Sequence, residues 1–329
     1  MKTLHLNKFK TVLVCGLLFV LQSCVITPGT WKNEQISSGK RDDFHKLNDD
    51  VLKYLKANDP KGLRIFSSKE MNERNNARLV DQVSNRLTDN EYSLLDEYYV
   101  VHKYKDVDTV ATKSGSVNRY NILYPYIATE MYMAYFIPKK PKNKDMISLV
   151  YAKFNYGWKI VDVRVEPYTI NGKTAPELYA LSRKQYDDKQ YQAALNNVSL
   201  AVNCFEPGAY WEYPDRADAK KFYGRLKMEV NARYRYPLVL KQINTGPMIL
   251  RVYTMHLDDG TYPMVYYMTH FDLKDTTSVK KENLEIRKVV AKLMPGMEEN
   301  NRYILYSAFN KQPSGYVTVN HFDMQDKVN

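Results

Sequence analysis

The sequence has few cysteines and lacks the commonest catalytic motifs, and each absence excludes a class of protein. Its 329 residues contain 3 cysteines, Cys15, Cys24 and Cys204, which excludes a disulfide-rich fold and a paired-cysteine metal site. There is no phosphate-binding glycine loop, no His-Glu-x-x-His motif and no nucleophile elbow. No motif therefore predicts a cofactor.

The sequence also has no hydrophobic run of the length that a membrane-spanning helix needs, which is about 20 residues. A shorter apolar stretch lies at residues 12–20, after a positive start that is given by Lys2, Lys8 and Lys10. A basic start followed by a short apolar run is typical of a secretory signal. The first residues therefore predict an exported protein.

This stretch ends with Leu21-Gln22-Ser23-Cys24, which resembles the lipobox of bacterial lipoproteins. The resemblance implies that residues 1–23 are a signal peptide and that Cys24 is lipidated, and acyl chains hold such a protein on a membrane. With Cys15 removed, only Cys204 would stay free, so no internal disulfide is expected. In that family, a residue such as Val25 after the cysteine often accompanies sorting to the outer membrane. We therefore expect an outer-membrane lipoprotein that faces the periplasm. A signal peptide cut elsewhere and a buried apolar segment are the alternatives.

The charge is basic but spread along the chain. The formal net charge is +11, and acidic and basic residues are mixed rather than gathered into a stripe with aromatic side chains. This pattern argues against a nucleic-acid partner and is compatible with anionic lipid head groups. The partners that we expect are the membrane, through the lipid anchor, and an envelope protein or polymer.

The next part of the sequence changes from helical to strand periodicity. Residues 24–40 are rich in polar residues, proline and glycine and predict an irregular tether. Helices are predicted at residues 41–57, 61–66 and 75–86, and strands at 98–105, 117–124, 131–137, 146–154 and 159–165. Helices followed by an antiparallel meander predict an α+β fold in which the helices cover one face of the sheet.

The hairpin Tyr156-Gly157-Trp158-Lys159-Ile160-Val161, which closes this helix-then-strand pattern, resembles the nuclear-transport-factor-two-like, cystatin-like superfamily. The resemblance covers residues 41–168. It implies a cone-like curved sheet with a pocket at its mouth. That fold serves enzymes, binding proteins and structural modules alike, so it predicts no function by itself.

The second half predicts a helical connector and another α+β unit. Residues 174–235 form a helical hairpin and a further helix, and Tyr191, Ala194 and Ala201 give the hairpin a resemblance to a tetratricopeptide repeat. A single copy favours a connector between two domains over a peptide-binding array. Residues 236–329 predict strands at 248–257, 261–271, 303–309 and 316–322 and a helix at 279–293.

One candidate pocket centres on His102. Tyr98, Val100, His102 and Tyr104 alternate along one predicted strand and share a face. If that face is concave, an aromatic pocket also includes Tyr120, Tyr124, Tyr132 and Trp158. A histidine there would suit a proton-transfer base, whereas the alternative places His102 in solvent beside Lys103.

A short motif that occurs twice predicts a candidate metal site. His270-Phe271-Asp272 recurs as His321-Phe322-Asp323. Each copy is expected at the exit of a hairpin, so His270, Asp272, His321 and Asp323 would converge if the strand ends were neighbours. Two imidazoles and two carboxylates suit a divalent ion such as zinc. The alternative is a chance similarity.

From these observations we expect a non-catalytic module that binds an envelope protein, a polymer or a small ligand. Tyrosine-rich sheet faces and the groove of the helical hairpin are the candidate surfaces. The rival is a pocket enzyme that uses His102 as base. The two hypotheses differ in whether His102 lies in a concave site against a second polar group.

Overall fold

The computed structural model describes residues 27–74, 76–112, 115–313 and 319–328. The predicted signal peptide and Cys24 lie outside these residues. Within them the fold is α+β, with helices and open, largely antiparallel sheets. None of the described helices has the length and the apolar composition that crossing a membrane requires.

The first sheet has five antiparallel strands in the order β1-β2-β5-β6-β7. These strands are β1 Gly29–Lys32, β2 Tyr92–Val101, β5 Glu130–Pro138, β6 Lys144–Phe154 and β7 Gly157–Thr169. Between β1 and β2 the described chain forms the helices α1 Ser38–Lys56, α2 Pro60–Leu63, α3 Lys69–Glu73 and α4 Ala77–Asp89. Phe44, Val51 and Leu55 lie at helical spacing on α1 and are buried against the sheet.

Both faces of this sheet are covered. Along β5, Tyr132, Ala134 and Phe136 belong to the core beneath the helices, whereas Met133 and Tyr135 belong to a second core on the opposite face. This alternation follows from the two-residue period of a strand. The prediction that the helices cover one face is confirmed.

The predicted tether is wrong from Gly29 onward. Residues Gly29–Lys32 form β1 and pair with β2 from Val101 back to Tyr98, and a 3-10 helix and α1 follow almost at once. Trp31 stacks on Tyr99 with 5.3 Å between ring centroids. The strand is only 4 residues long and its partner is far along the chain, so local composition could not indicate it.

The predicted continuous meander is wrong at one place. β3 Asp108–Ala111 and β4 Asn121–Tyr124 leave the first sheet and form a separate three-stranded sheet with β8 Trp211–Glu212. This small sheet covers the second face of the first sheet. β7 does not alternate regularly, because Val161 is the extra residue of a bulge between Ile160 and Asp162.

A helical layer separates the two α+β units. It consists of α5 Ala175–Asp187, α6 Tyr191–Asn203 and α7 Arg216–Tyr234. Leu178 and Leu200 pack into the second core of the first unit, while Ala194 and Val198 pack into the core of the C-terminal unit. The groove of the hairpin is therefore filled on both sides.

The C-terminal sheet has the order β13-β12-β11-β10-β9. Its strands are β9 Leu238–Val239, β10 Met248–Leu257, β11 Gly260–Met268, β12 Tyr303–Phe309 and β13 His321–Lys327, and the helix α8 Thr276–Leu293 joins β11 to β12. That helical crossover makes β11 and β12 parallel. β13 overlaps the predicted strand at 316–322 only at residues 321 and 322, and residues 316–318 of that prediction lie outside the described residues.

Candidate ligand-binding cleft

A cleft of about 800 Å³ opens where the two units meet. One wall comes from the end of α4, the start of β2, the loop between β5 and β6 and the end of β7. The other comes from the hairpin of β10 and β11, and the end of α6 lies between them. Its size falls within the range of about 300 to 1,000 Å³ that is usual for ligand sites.

Asn171 fixes the two walls relative to each other. Its amide Nδ2 donates to the backbone carbonyl of Thr261 at 2.6 Å, and its Oδ1 accepts from the Thr261 N–H at 2.8 Å. Asn171 itself has a positive φ of 52° in the turn after β7. The side chain therefore pairs with β11 through one donor and one acceptor, and it holds the hairpin of β10 and β11 against the first unit.

Most charges in the cleft are neutralised by a partner. Arg86 Nε lies 2.5 Å from Asp145 Oδ2, and Arg302 lies 3.1 Å from Asp259. Lys142 and Asp258 line the cleft without an ion-pair partner among the described residues, and their charges are opposite. The cleft is thus close to electrically balanced.

Several of the remaining polar groups are neutral and have no partner. The side chains of Asn90, Asn203 and Thr254 line the cleft and have no hydrogen-bond partner in the part of the chain that the structure describes. His256 contacts Thr261 Oγ1 at 3.2 Å through Nδ1 only. Burial raises the pKa of Tyr92 well above its usual value, and its hydroxyl has no partner among these residues. The cleft therefore offers hydrogen-bond donors and acceptors that a ligand can satisfy.

The predicted His102 pocket does not form as expected. His102 is 7 % exposed, its ring lies 5.2 Å from that of Tyr124, and its Nε2 lies 3.4 Å from the sulfur of Met131. Burial lowers the pKa of His102. Neither the predicted polar partner nor the alternative of solvent exposure holds, and the described cavities do not include His102 in their walls.

The tyrosines predicted around His102 are divided between different surroundings. Tyr120 stacks on Trp211 in the same core as Tyr124, whereas Tyr132 and Trp158 lie on the opposite, helix-covered face of the sheet. Tyr104 is 70 % exposed. The sheet separates these residues because Met131, which contacts His102, and Tyr132 are adjacent in sequence and point to opposite faces.

Sequence reasoning missed a buried carboxylate on the helix-covered face. Glu97 is fully buried, and it accepts hydrogen bonds from Arg41 Nε at 2.6 Å and from the hydroxyl of Tyr132 at 2.7 Å. His45 Nε2 lies 3.1 Å from the same carboxylate. Glu97 lies on β2, whereas Arg41 and His45 lie on α1. Only the fold brings the helix and the strand together, so the sequence did not indicate this cluster. Since these groups satisfy each other, we assign them a structural role.

A second buried carboxylate, Glu130, is held by basic side chains. Lys153 Nζ donates to it at 2.7 Å and the Tyr99 hydroxyl at 2.5 Å. Burial raises the pKa of Glu130, but these hydrogen bonds outweigh that effect and the pKa lies below its usual value. The carboxylate is therefore stabilised in its charged form.

The predicted metal site is wrong. His270 and Asp272 are exposed in the segment after β11, whereas His321 opens β13 and its Nε2 lies 3.3 Å from Asp323 Oδ2. The Asp323 carboxylate also accepts a hydrogen bond from Ser307. Among the described residues, which include all four, no group of three or more His, Cys, Asp or Glu side chains is arranged to hold a metal ion.

One tyrosine-rich sheet face, a surface of the kind that we predict for binding, lies on the C-terminal sheet. The rings of Tyr253 and Tyr266 are 5.1 Å apart, and the Arg251 guanidinium lies within 4.7 Å of both centroids. Phe309 continues the row at 4.9 Å from Tyr266. These side chains mainly pack on one another, so the cleft is the better candidate site.

Comparison with protein-family models, with curated proteins and with solved structures gave no match for this chain. The resemblances to lipoproteins, to the nuclear-transport-factor-two-like superfamily and to tetratricopeptide repeats therefore stay predictions.

Proposed function

We propose that this protein is a binding module of the cell envelope that holds a small polar ligand, or a segment of an envelope polymer, in the cleft between its two α+β units. The observation that carries the proposal is the cleft of about 800 Å³, in which the side chains of Asn90, Asn203 and Thr254 have no hydrogen-bond partner among the described residues. Buried or half-buried polar groups without partners are costly, so a ligand that satisfies them gains affinity.

The chemistry of the cleft favours binding over catalysis. A general base must be oriented by a neighbour and lie within reach of a substrate proton. His256, which lines the cleft, contacts only the neutral hydroxyl of Thr261. His102, the base of the rival enzyme hypothesis, meets the sulfur of Met131 and aromatic rings instead of a second polar side chain. Neither histidine supports a proton-transfer mechanism.

Filling the cleft tests the proposal. Asn203 is exposed at the end of α6 and lines the cleft, so Asn203→Trp should block it without disturbing a core. Met228→Trp, on α7, is the matched control because Met228 is 70 % exposed and lies outside the described cleft walls. The full-length protein in detergent would be screened with a library of small polar compounds by intrinsic tryptophan fluorescence during heating.

Compounds that raise the melting temperature of the wild type and of Met228→Trp, but not of Asn203→Trp, would support the proposal. Compounds that stabilise all three proteins equally, or a library that stabilises none, would contradict it.

The membrane location rests on the sequence around Cys24, and it has a separate test. Cys24→Ala should move the protein from the membrane fraction to the soluble fraction, because acyl chains on that sulfur are the proposed anchor. A variant that stays with the membranes after a carbonate wash would overturn the anchor.

A further inference from the structure

A second, small cavity of about 10 Å³ lies beside the cleft, and we call this side of the cleft its floor. The cavity and the cleft share three lining residues, Leu200, Thr254 and Thr261. A space of this size holds about one oxygen-sized group, such as a water molecule or a hydroxyl.

Asn196 presents an unused hydrogen-bond donor at this floor. It lines the cavity, is only 6 % exposed, and its Nδ2 has no partner among the described residues. Its Oδ1 is occupied, because Gln192 Nε2 donates to it at 3.0 Å. A donor that is buried without a partner is destabilising unless something else accepts from it.

That amide takes part in a chain of hydrogen bonds. The Tyr236 hydroxyl lies 3.1 Å from Gln192 Oε1, and the Gln192 amide nitrogen faces Asn196. This direction leaves Asn196 with donors only at its free end. In this arrangement the free end of the Asn196 amide suits an acceptor oxygen.

The walls point to a ligand without net charge. Arg86 is paired with Asp145 and Asp259 with Arg302, so no excess of one sign is left to attract an ion. Lys142 and Asp258 are open but opposite in charge, and the other open groups include amides and a hydroxyl, which both donate and accept hydrogen bonds. Sugar hydroxyls match such a surface, because each of them also donates and accepts.

We propose that the cleft binds a neutral saccharide and that one sugar oxygen enters the floor cavity to accept a hydrogen bond from Asn196 Nδ2. This inference rests on the proposed binding function of the cleft. Thr254, which lines both cavities and has no side-chain partner among the described residues, lies where the same sugar ring would meet the wall.

The test uses triacetylchitotriose as a neutral saccharide probe and inorganic phosphate as a charged one, with isothermal titration calorimetry on the full-length protein in detergent. Asn196→Leu removes the donor at similar volume, and Thr254→Val removes a hydroxyl at a site that is less buried. Asn48→Leu is the matched control, since Asn48 is also a buried amide on a helix, 2 % exposed, but lies in the core beneath α1.

We expect triacetylchitotriose to bind the wild type and Asn48→Leu equally, and to bind Asn196→Leu and Thr254→Val at least about tenfold more weakly. Should Asn196→Leu fail to fold, Thr254→Val alone decides. Equal binding by Thr254→Val, Asn196→Leu and wild type would overturn the inference.

The outcomes separate this inference from the function on which it rests. One outcome is that phosphate or another charged compound binds, that Asn203→Trp blocks this binding, and that the saccharide does not bind. In that case the proposed function of the cleft stands and the saccharide inference falls. If no probe or library compound binds in a way that Asn203→Trp blocks, both fall.

Discussion

Replacing Asn171 by glycine should loosen the contact between the two units. Asn171 makes two hydrogen bonds to the backbone of Thr261, a residue that is 8 % exposed, so water replaces them poorly. Each such bond stabilises a protein by about 0.5 to 1.5 kcal/mol, and a buried group left unsatisfied costs about 1 to 3 kcal/mol. We therefore expect Asn171→Gly to lower the free energy of unfolding by about 2 to 3 kcal/mol.

Glycine is the informative substitution because Asn171 has a φ of 52°, which glycine adopts without strain. Asn58→Gly is the matched control: its φ is 51°, but its amide is exposed and donates only to Asp81, at 3.3 Å. Surface changes of this kind usually alter stability by less than about 0.5 kcal/mol.

Urea unfolding followed by far-ultraviolet circular dichroism measures both variants. If Asn171→Gly and Asn58→Gly lose the same stability, the amide of Asn171 does not join the two units. The reasoning about the walls of the cleft would then be refuted.

Three further predictions concern the cores. The pKa of Glu130 is lower in the folded state than in the unfolded state, where that of a glutamate is about 4.3. Its contact with Lys153 therefore stabilises the protein fully above a pH of about 4.3, and this stabilisation is lost as the pH falls through the pKa of the folded state. The melting temperature of Glu130→Gln should therefore lie below that of the wild type at pH 7, and the difference should shrink as the pH falls below about 4.3; a constant difference would contradict this. His102 should titrate below its usual pKa of about 6.5 in an NMR experiment, since burial disfavours its charge, and a normal value would show that it is not buried. Leu55→Ala should cost about 2 to 5 kcal/mol in urea unfolding because Leu55 is fully buried, whereas Leu284→Ala, at an exposed position, should cost less than about 1 kcal/mol; similar losses would contradict the placement of α1.

Local periodicity was sufficient to predict most of the regular elements. The spacing of Phe44, Val51 and Leu55 predicted α1, and the strands β10 and β12 have the predicted bounds. These elements are long, and their apolar residues repeat with the period of a helix or a strand. The α+β class follows from them directly.

Features that depend on distant pairing could not be predicted in this way. β1 is recognisable only through its pairing with β2. The bulge at Val161 shifts the alternation of side chains along β7, so that residues before and after the bulge do not follow one pattern. The tyrosines around His102 were placed together because each lies on a predicted strand, but the sheet divides Tyr124 from Tyr132. The sequence pattern alone did not show which face each strand turns towards the helices.

The cleft shows the same limit more clearly. The dipeptide Asn171-Gly172 is typical of a turn, but Thr261, the partner of Asn171, lies 90 residues further along the chain. Asn196 is part of a helix that was predicted correctly, yet its unused donor becomes visible only when the hairpin of β10 and β11 closes over it. A binding site between two units has no local sequence signature.

Native mass spectrometry of the protein released gently from its own cell envelope tests the central claim most directly. We predict that the wild-type protein carries a small-molecule adduct and that Asn203→Trp, purified in the same way, lacks it. A bare wild-type protein, or an adduct that the tryptophan does not remove, would contradict the claim that the cleft is the binding site.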